Sequence, residues 1–273
     1  MHNHDRGPRH SRGPGARKFQ PSIAGDCPAN AWTGLARALS KLGFCSRSKG
    51  KEIIAAGRVR LNGRLCRDPE QRVNLKHDRI EIDSQVLPAV RKIYLMLNKP
   101  RGLVTTAADE HGRPTVFECF AHASLPPVTA VGRLDKASEG LLLFTNDTAW
   151  ASNVTAPGSC LEKTYHVQVD RVADQDLIDR MQRGLKVDDD LLAAKRVTLL
   201  RHGTRTSWLE VTLTEGKNRH IRRLLGALGV EVLRLVRVAI ASLELGELAK
   251  GDFRYLTELE RRALAPSTGQ AKR

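Results

Sequence analysis

Between residues 92 and 258 the chain offers six strand-like stretches and only two helix-like ones, and this imbalance constrains its fold more than any other feature. The strand candidates are Ile93–Leu97, Leu141–Thr145, Thr164–Val169, Lys195–Leu200, Trp208–Leu213 and Val232–Val236. The helical candidates are Asp174–Arg183 and Asn218–Leu228. Strands that do not alternate with helices cannot build a doubly wound parallel sheet. The expected class is therefore α+β, with a mostly antiparallel mixed sheet flanked by helices. Residues 259–273 are polar and basic and read as a tail.

A second, smaller unit precedes this one, over residues 33–90. Leu35, Leu39 and Leu42 recur at helical spacing and Gly43 closes that helix. Ser46 is placed to cap a second helix carrying Ile53 and Ile54 and ended by Gly57. Gly50 inside it costs on the order of 1 kcal/mol relative to alanine. Asn62-Gly63 between alternating residues signals a tight hairpin, because its turn needs positive φ twice. Arg79–Ile82 reads as a further strand, and Leu87–Arg91 with Pro88 as the linker to the larger unit, 91–258. Residues 1–32 have no periodic apolar pattern and read as a disordered basic arm, either a tail or a source of nonspecific contacts.

Charge says most about the partner. The 273 residues carry a net charge of +15, with 45 Lys and Arg against 30 acids. That excess points to a polyanion, nucleic acid ahead of a membrane surface, since no basic amphipathic helix stands out. No apolar run approaches the roughly 20 residues of a membrane helix, and the N-terminus lacks a signal-type apolar core. The five cysteines are scattered without a CxxC pair, so neither a zinc ribbon nor a disulfide framework is expected, and a cytoplasmic setting is. Only 12 residues are aromatic, so phosphate contacts and a few chosen stacking rings must carry recognition. In the small unit the basic path runs through Arg37, Lys41, Arg47, Arg58 and Arg60.

Three segments hold the chemistry. In 131–147 a loop with Arg133, Asp135, Lys136 and Glu139 leads into the apolar run Leu141–Phe144. Such a loop sets a carboxylate at the edge of an apolar floor, as nucleophile or base, although by pattern alone an Asp in a Gly-bounded loop reads first as a turn former. In 162–169 alternation puts Tyr165, Val167 and Val169 on one face, where Tyr165 is either a core ring or a stacking surface with a proton-carrying hydroxyl. In 215–229 Ile221, Leu224, Leu225 and Leu228 form a buried helical face and Asn218 is placed to cap it. Lys217, Arg219, Arg222 and Arg223 cluster at its start, suited to phosphate, to holding a carboxylate, or to a solvated face.

Taken together, "GRLDKASEGLLLFTND" (132–147), "KTYHVQV" (163–169) and "EGKNRHIRRLLGALG" (215–229) with "LRLVR" (233–237) resemble the pseudouridine synthases. "YLMLNKPRGLVTT" (94–106) and "HGRPTVF" (111–117) match the bacterial ribosomal-RNA subfamily. "LARALSKLGFCSRSKGKEII", "AGRVRLNGR" and "DRIEID" resemble its αL RNA-binding domain, first known from a ribosomal small-subunit protein. The resemblance implies that Asp135 is the catalytic aspartate, that Tyr165 packs on the target uracil, that Arg222 ion-pairs with the aspartate, and that Arg133 fills the gap left by a flipped base. Lys217 and His220 stand where Arg and Gln are commoner. The implied reaction is an isomerisation of one uridine in ribosomal RNA, large-subunit RNA being favoured over small-subunit, with no cofactor or metal, by a monomer. Two other readings compete: a noncatalytic ribosome-assembly factor on the same fold, and a glycoside hydrolase using Glu139 as second carboxylate.

Overall fold

The computed structural model describes residues 32–86, 91–107 and 109–265. The expected arm (up to Ala31) and most of the expected linker (87–90) lie outside the described residues.

The small unit begins one residue earlier than the pattern suggests. β1 (Trp32–Gly34) runs straight into α1 (Leu35–Lys41), followed by α2 (Arg47–Ala55). Ser46 caps α2, its hydroxyl accepting from Lys49 N at 3.2 Å. The glycine penalty at Gly50 has a packing reason. A Cβ there would sit 3.3 Å from the Ala36 carbonyl oxygen, tighter than most such contacts, so a side chain would push the two helices slightly apart. β2 (Val59–Leu61) and β3 (Arg64–Cys66) form the foreseen hairpin, with positive φ at both Asn62 and Gly63. β4 (Arg72–Asn74) pairs with β1, while β5 (Ile80–Ile82) joins β2 and is edged by β6 (Gln85–Val86). Leu35, Leu39, Ile54, Val59, Val73 and Ile82 close a core of their own.

The larger unit is a nine-stranded sheet. Its strands are β7 (Tyr94–Lys99), β8 (Thr129–Val131), β9 (Glu139–Thr145), β10 (Lys163–Val169), β13 (Arg196–His202), β14 (Ser207–Leu213), β15 (Val232–Ile240), β16 (Leu243–Glu244) and β17 (Phe253–Tyr255). The short hairpin β11 (Leu185–Val187) and β12 (Asp190–Leu192) stands apart from it. The main order is β13-β14-β10-β15-β9-β7-β17, and only the short β15–β9 contact is parallel. This is the mixed, mostly antiparallel sheet expected. Its helices are α3 (Thr148–Thr155), α4 (Gln175–Arg183), α5 (His220–Ala227) and α6 (Glu258–Leu264).

The two halves of the sheet explain two sequence patterns. β9 is buried on both faces. Leu141 and Leu143 pack with Trp150 and Val154 of α3 and Leu264 of α6, while Leu142 and Phe144 pack with Val116 and Phe120 of a 3-10 turn. A strand covered twice needs no polar alternate positions, hence the leucine run. β10 and β14 instead bury Val167, Val169, Leu209 and Val211 against α4 and α5 on one face only. They therefore alternate.

Two expectations are corrected. The segment after 258 is not a tail throughout: Glu258–Leu264 forms α6, with Leu264 buried. Thr257 and Glu260 make a reciprocal capping box, and that Thr-x-x-Glu spacing was the overlooked signal. Asn218 does not cap α5; Arg219 occupies that position in left-handed backbone, φ 47°, without a side-chain cap bond. Among the described residues no helix is long and apolar enough to cross a membrane.

Glu139 ties the halves together. It is almost wholly buried, and its carboxylate accepts from Arg234 at 2.8 and 3.0 Å and ion-pairs with Lys250 at 2.6 Å. The Arg234 bonds, aided by Lys250 and opposed by burial, pull its pKa down from 4.5 to about 2. A carboxyl depressed in the fold contributes stability that is complete above its unfolded pKa and is lost as pH falls through the folded value. Glu139→Gln is expected to cost about 2 kcal/mol at pH 7, the order for buried charge-assisted hydrogen bonds. In denaturant titrations its deficit against the parent should shrink between pH 4.5 and 2; a deficit that stays constant with pH would show that Glu139 is not held ionised.

Candidate active site

The loop 132–138 leads into β9, and neighbouring segments hold it by its backbone. Thr105 Oγ1 donates to the Leu134 carbonyl at 2.7 Å, and Gly102 N to that of Lys136 at 2.8 Å. Lys99, fully buried at the end of β7, donates from Nζ to the carbonyls of Asp135 at 3.2 Å and Ser138 at 2.8 Å, and to Pro100 at 3.1 Å. Arg222 Nη2 reaches the Ala137 carbonyl at 3.3 Å. Every carbonyl from Leu134 to Ser138 is thus engaged. Burial pushes the Lys99 ammonium down to about 8, against the pull of the Asp135 and Glu139 charges. Gly140 completes the arrangement. Its φ is 98°, and a Cβ there would lie 2.2 Å from the Arg237 carbonyl oxygen, so β15 can come alongside β9 only at a glycine.

With its backbone held, Asp135 is half-buried, and its carboxylate has no hydrogen bond or ion pair among the described residues. It lines a cavity of about 690 Å³ with Arg133, Lys163, Tyr165, Arg219 and Arg237. Asp135 and Tyr165, far apart in sequence, face one space. A β-bulge helps to aim the tyrosine: Thr164 pairs with Ala239 but Tyr165 with Arg237, leaving Val238 as the extra residue of β15. Arg237 is itself buried, its Nε donating to the Leu141 carbonyl at 2.7 Å. Burial, and then the Arg237 charge, hold the Lys163 ammonium below its ordinary value. The positive φ of Arg219 is strained backbone at the cavity wall.

The basic residues divide into tied and untied. Arg222 makes no ion pair with Asp135, contrary to expectation. Its guanidinium bonds the carbonyls of Ala137 and Val232 instead, and it is not among the residues lining the cavity. Burial, then Arg219, lowers its pKa, while the charge of Asp135 acts the other way, so the two groups sense each other without touching. Arg223 is committed to Asp190 at 2.7 Å and Asp188 at 3.0 Å, stapling the β11–β12 hairpin to α5. Lys217 bonds the Leu191 carbonyl and pairs with Glu215. Arg58 is paired with Asp83, and Arg60 donates to the Gly63 carbonyl. Arg37, Lys41 and Arg47 are exposed and unpaired among the described residues, as are Arg133 and Arg219. Glu139, fixed by its two cations, does not line the cavity, which removes the Asp135–Glu139 pair on which the glycoside hydrolase reading relied.

Lys99 was missed in sequence. The only signal was a lysine closing a strand that carries Leu95, Met96 and Leu97. The Thr145-Asn146-Asp147 triplet proves architectural. Asn146 Oδ1 accepts from Ile93 N at 2.9 Å, Thr145 Oγ1 donates to the Ile93 carbonyl at 2.6 Å, and Asp147 caps α3. Among the described residues no cluster of His, Cys, Asp and Glu is arranged to hold a metal ion.

Comparison with known proteins agrees with this geometry. The RNA pseudouridylate synthase family matches residues 93–227, and the S4 domain matches 33–80. An uncharacterized RNA pseudouridine synthase of Aquifex aeolicus is 35% identical over 233 residues, 85% of this chain and 93% of that protein. Ribosomal large subunit pseudouridine synthase B of Bacillus subtilis is 34% identical over 237 residues, 85% of this chain and 96% of that protein. A crystal structure of a pseudouridylate synthase superposes with a TM-score of 0.60 at 26% identity, covering 85% of this chain and 99% of the other. With relatives matched along nearly their whole length, the chain belongs to the RNA pseudouridine synthase family, enzymes that isomerise uridine in RNA, and carries an S4 RNA-binding domain ahead of the synthase fold.

Proposed function

We propose that this protein converts one uridine of large-subunit ribosomal RNA to pseudouridine, with Asp135 as the reacting carboxylate. The carrying observation is an unpaired carboxylate on a loop whose backbone is bonded carbonyl by carbonyl, facing a cavity shared with Tyr165. A relative named ribosomal large subunit pseudouridine synthase B supports the choice of RNA. The protein acts as a cytoplasmic monomer without a cofactor, its S4 domain within residues 33–90 and its synthase domain beginning at 91.

The reaction breaks the bond between N1 of uracil and C1′ of ribose, rotates the base, and joins C5 to C1′. The proton on C5 leaves and N1 gains one, so atoms and electrons balance without a redox partner. The uridine must first leave its stack, at a cost of a few kcal/mol met by phosphate contacts. Arg133, exposed at the cavity mouth, takes the place of the extruded base. Asp135 attacks or takes a proton from the nucleoside. Tyr165 packs on the uracil and assists proton removal from C5. Arg222 acts through the loop, holding Ala137, and adds positive charge behind the carboxylate. Arg37, Lys41, Arg47 and Arg60 grip phosphates outside the cavity, and Arg219 does so at its wall. The ties of Arg58, Lys217 and Arg223 give these three a smaller part in RNA contact.

Asp135→Asn is expected to fold and to bind ribosomal RNA like the parent, yet lose at least 1,000-fold in pseudouridine formation in a tritium-release assay; activity within tenfold of the parent would remove Asp135 from the reaction. Lys99→Met leaves the buried Ser138 carbonyl without its donor, at about 1–3 kcal/mol. It should lose about 100-fold in single-turnover rate while RNA affinity changes less than threefold, and an unchanged rate would show that the loop holds its shape without the ammonium. Replacing Arg37, Lys41 and Arg47 together by alanine should leave the saturated rate intact and flatten log K against log salt by about 2–3. An unaltered slope would mean that these residues do not meet phosphate.

A further inference from the structure

The sheet half that carries Tyr165 has a second face. Val167, Leu209 and Leu235 point to the helices. The residues between them in sequence point the other way, where they join no buried cluster among the described residues. The strand registers bring four of them into a single row across β13, β14, β10 and β15: Arg201 opposite Trp208, Trp208 opposite Gln168, Gln168 opposite Arg234. The guanidinium carbons of Arg201 and Arg234 lie 5.3 and 5.8 Å from the Trp208 ring centroid. His166, Leu200 and Val236 complete an open hollow of about 470 Å³ around them. Adjacent residues of a strand face opposite sides of a sheet, so this hollow, lined by His166, and the cavity lined by Tyr165 lie on opposite faces.

The chemistry of the hollow is unusual for a bare sheet face. Trp208 is one of only 12 aromatic residues in the chain, and it is half-exposed. Arg234 has its charge met by Glu139, so it serves as a fixed plane beside the indole. Arg201 has no hydrogen bond or ion pair among the described residues; its contact with the ring leaves every N–H free. From Lys195 to Trp208 the chain carries Lys195, Arg196, Arg201 and Arg205 and no acid; Glu162 and Glu210 meet Lys195 and Arg196, while Arg201 and Arg205 are unpaired among the described residues, so the edge keeps a positive surplus. An aromatic ring flanked by guanidinium planes on an open sheet, with a basic edge, is the arrangement by which proteins hold unpaired nucleotides: bases stack on the planes and phosphates meet the free N–H groups.

We infer that the face formed by Trp208, Arg201 and Arg234 is a second RNA-binding surface, one that takes a single-stranded stretch of the RNA outside the catalytic cavity by base stacking and phosphate contact. The inference rests on the reading of the chain as an RNA-modifying enzyme. The unpaired cations Arg201 and Arg205 beside an exposed indole favour RNA over a protein partner. An acceptor of both kinds of contact, flat bases joined by phosphates, is what the ring and the unpaired guanidinium together require.

The test uses the full chain and two fluorescein-labelled probes, a 12-nucleotide single-stranded RNA and a 12-base-pair RNA duplex, with affinities read by anisotropy. Trp208→Ala should weaken single-strand binding about tenfold, Trp208→Phe less than threefold, and neither should weaken duplex binding more than twofold. Arg201→Ala removes no hydrogen bond or ion pair among the described residues, only the contact with the indole, and unchanged thermal unfolding checks that the sheet is intact. It should weaken single-strand binding about threefold and reduce the slope of log K against log salt by about 0.7. The single-turnover rate at saturating RNA should stay within twofold in all three, whereas Asp135→Asn should keep the single-strand affinity and lose the rate; the two readings therefore fail separately. Unchanged single-strand affinity in both Arg201→Ala and Trp208→Ala would overturn the inference. So would an equal loss for single-strand and duplex probes, or loss of binding to purified ribosomal proteins with RNA affinity intact.

Discussion

The buried ammonium of Lys99 is the interaction on which the active centre depends. It sits where β7 ends, beside the turn that carries Asp135, and it donates to three backbone carbonyls at once. A lysine with no solvent exposure carries a desolvation penalty, visible in its lowered pKa, and the carbonyl dipoles offset part of it. The consequence is a loop whose backbone carbonyls are all engaged, leaving the Asp135 carboxylate as an acceptor without a partner among the described residues. A reactive carboxylate needs such support because a side chain on a loose loop would spend its binding energy on ordering itself. Thr105, Gly102 and Arg222 extend the same scheme to the flanking carbonyls.

The sheet supplies the rest through its asymmetry. Around β9 it is covered on both faces and gives a stiff floor. Around β10 and β14 one face is covered and the other is open. The junction is the short parallel contact of β15 with β9, made possible by Gly140 and clamped by the Glu139–Arg234–Lys250 cluster. Where β15 diverges, the cavity opens, with Tyr165 and Asp135 drawn from its two sides. Positive charge is arranged around it in depth, from the buried Arg237 to the exposed Arg133 and Arg219.

Much of this was legible because the relevant signals are local. All six strand candidates and both helix candidates occur within a few residues of their expected positions, since hydrophobic period follows from which faces are covered. The Ser46 cap and the Asn62-Gly63 turn were readable because a cap and a positive-φ pair are decided by neighbouring residues. Asn218 was misread as a cap because Arg219 adopts left-handed backbone at the cavity wall, a strain that local preference cannot announce. α6 was missed because seven residues with one deeply buried leucine give little periodicity, and part of its support comes from Trp150, far away in sequence, which donates to the Arg261 carbonyl.

For the site, the sequence by itself determined the inventory: an aspartate in a charged loop before a leucine run, a tyrosine on an alternating strand, a cluster of basic residues at a helix start, and a chain too positive for anything but a polyanionic partner. Which of those residues stand together, and in what role, only the tertiary structure decided. Arg222 holds the carbonyl of Ala137 rather than the carboxylate of Asp135, and Arg223 is spent on two aspartates of a neighbouring hairpin. Lys99 becomes central only because β7 and β9 are hydrogen-bonded neighbours. The physical reason is that a charged side chain takes the partner that lies within a few ångströms after packing, and that distance is a property of the fold, not of the spacing along the chain.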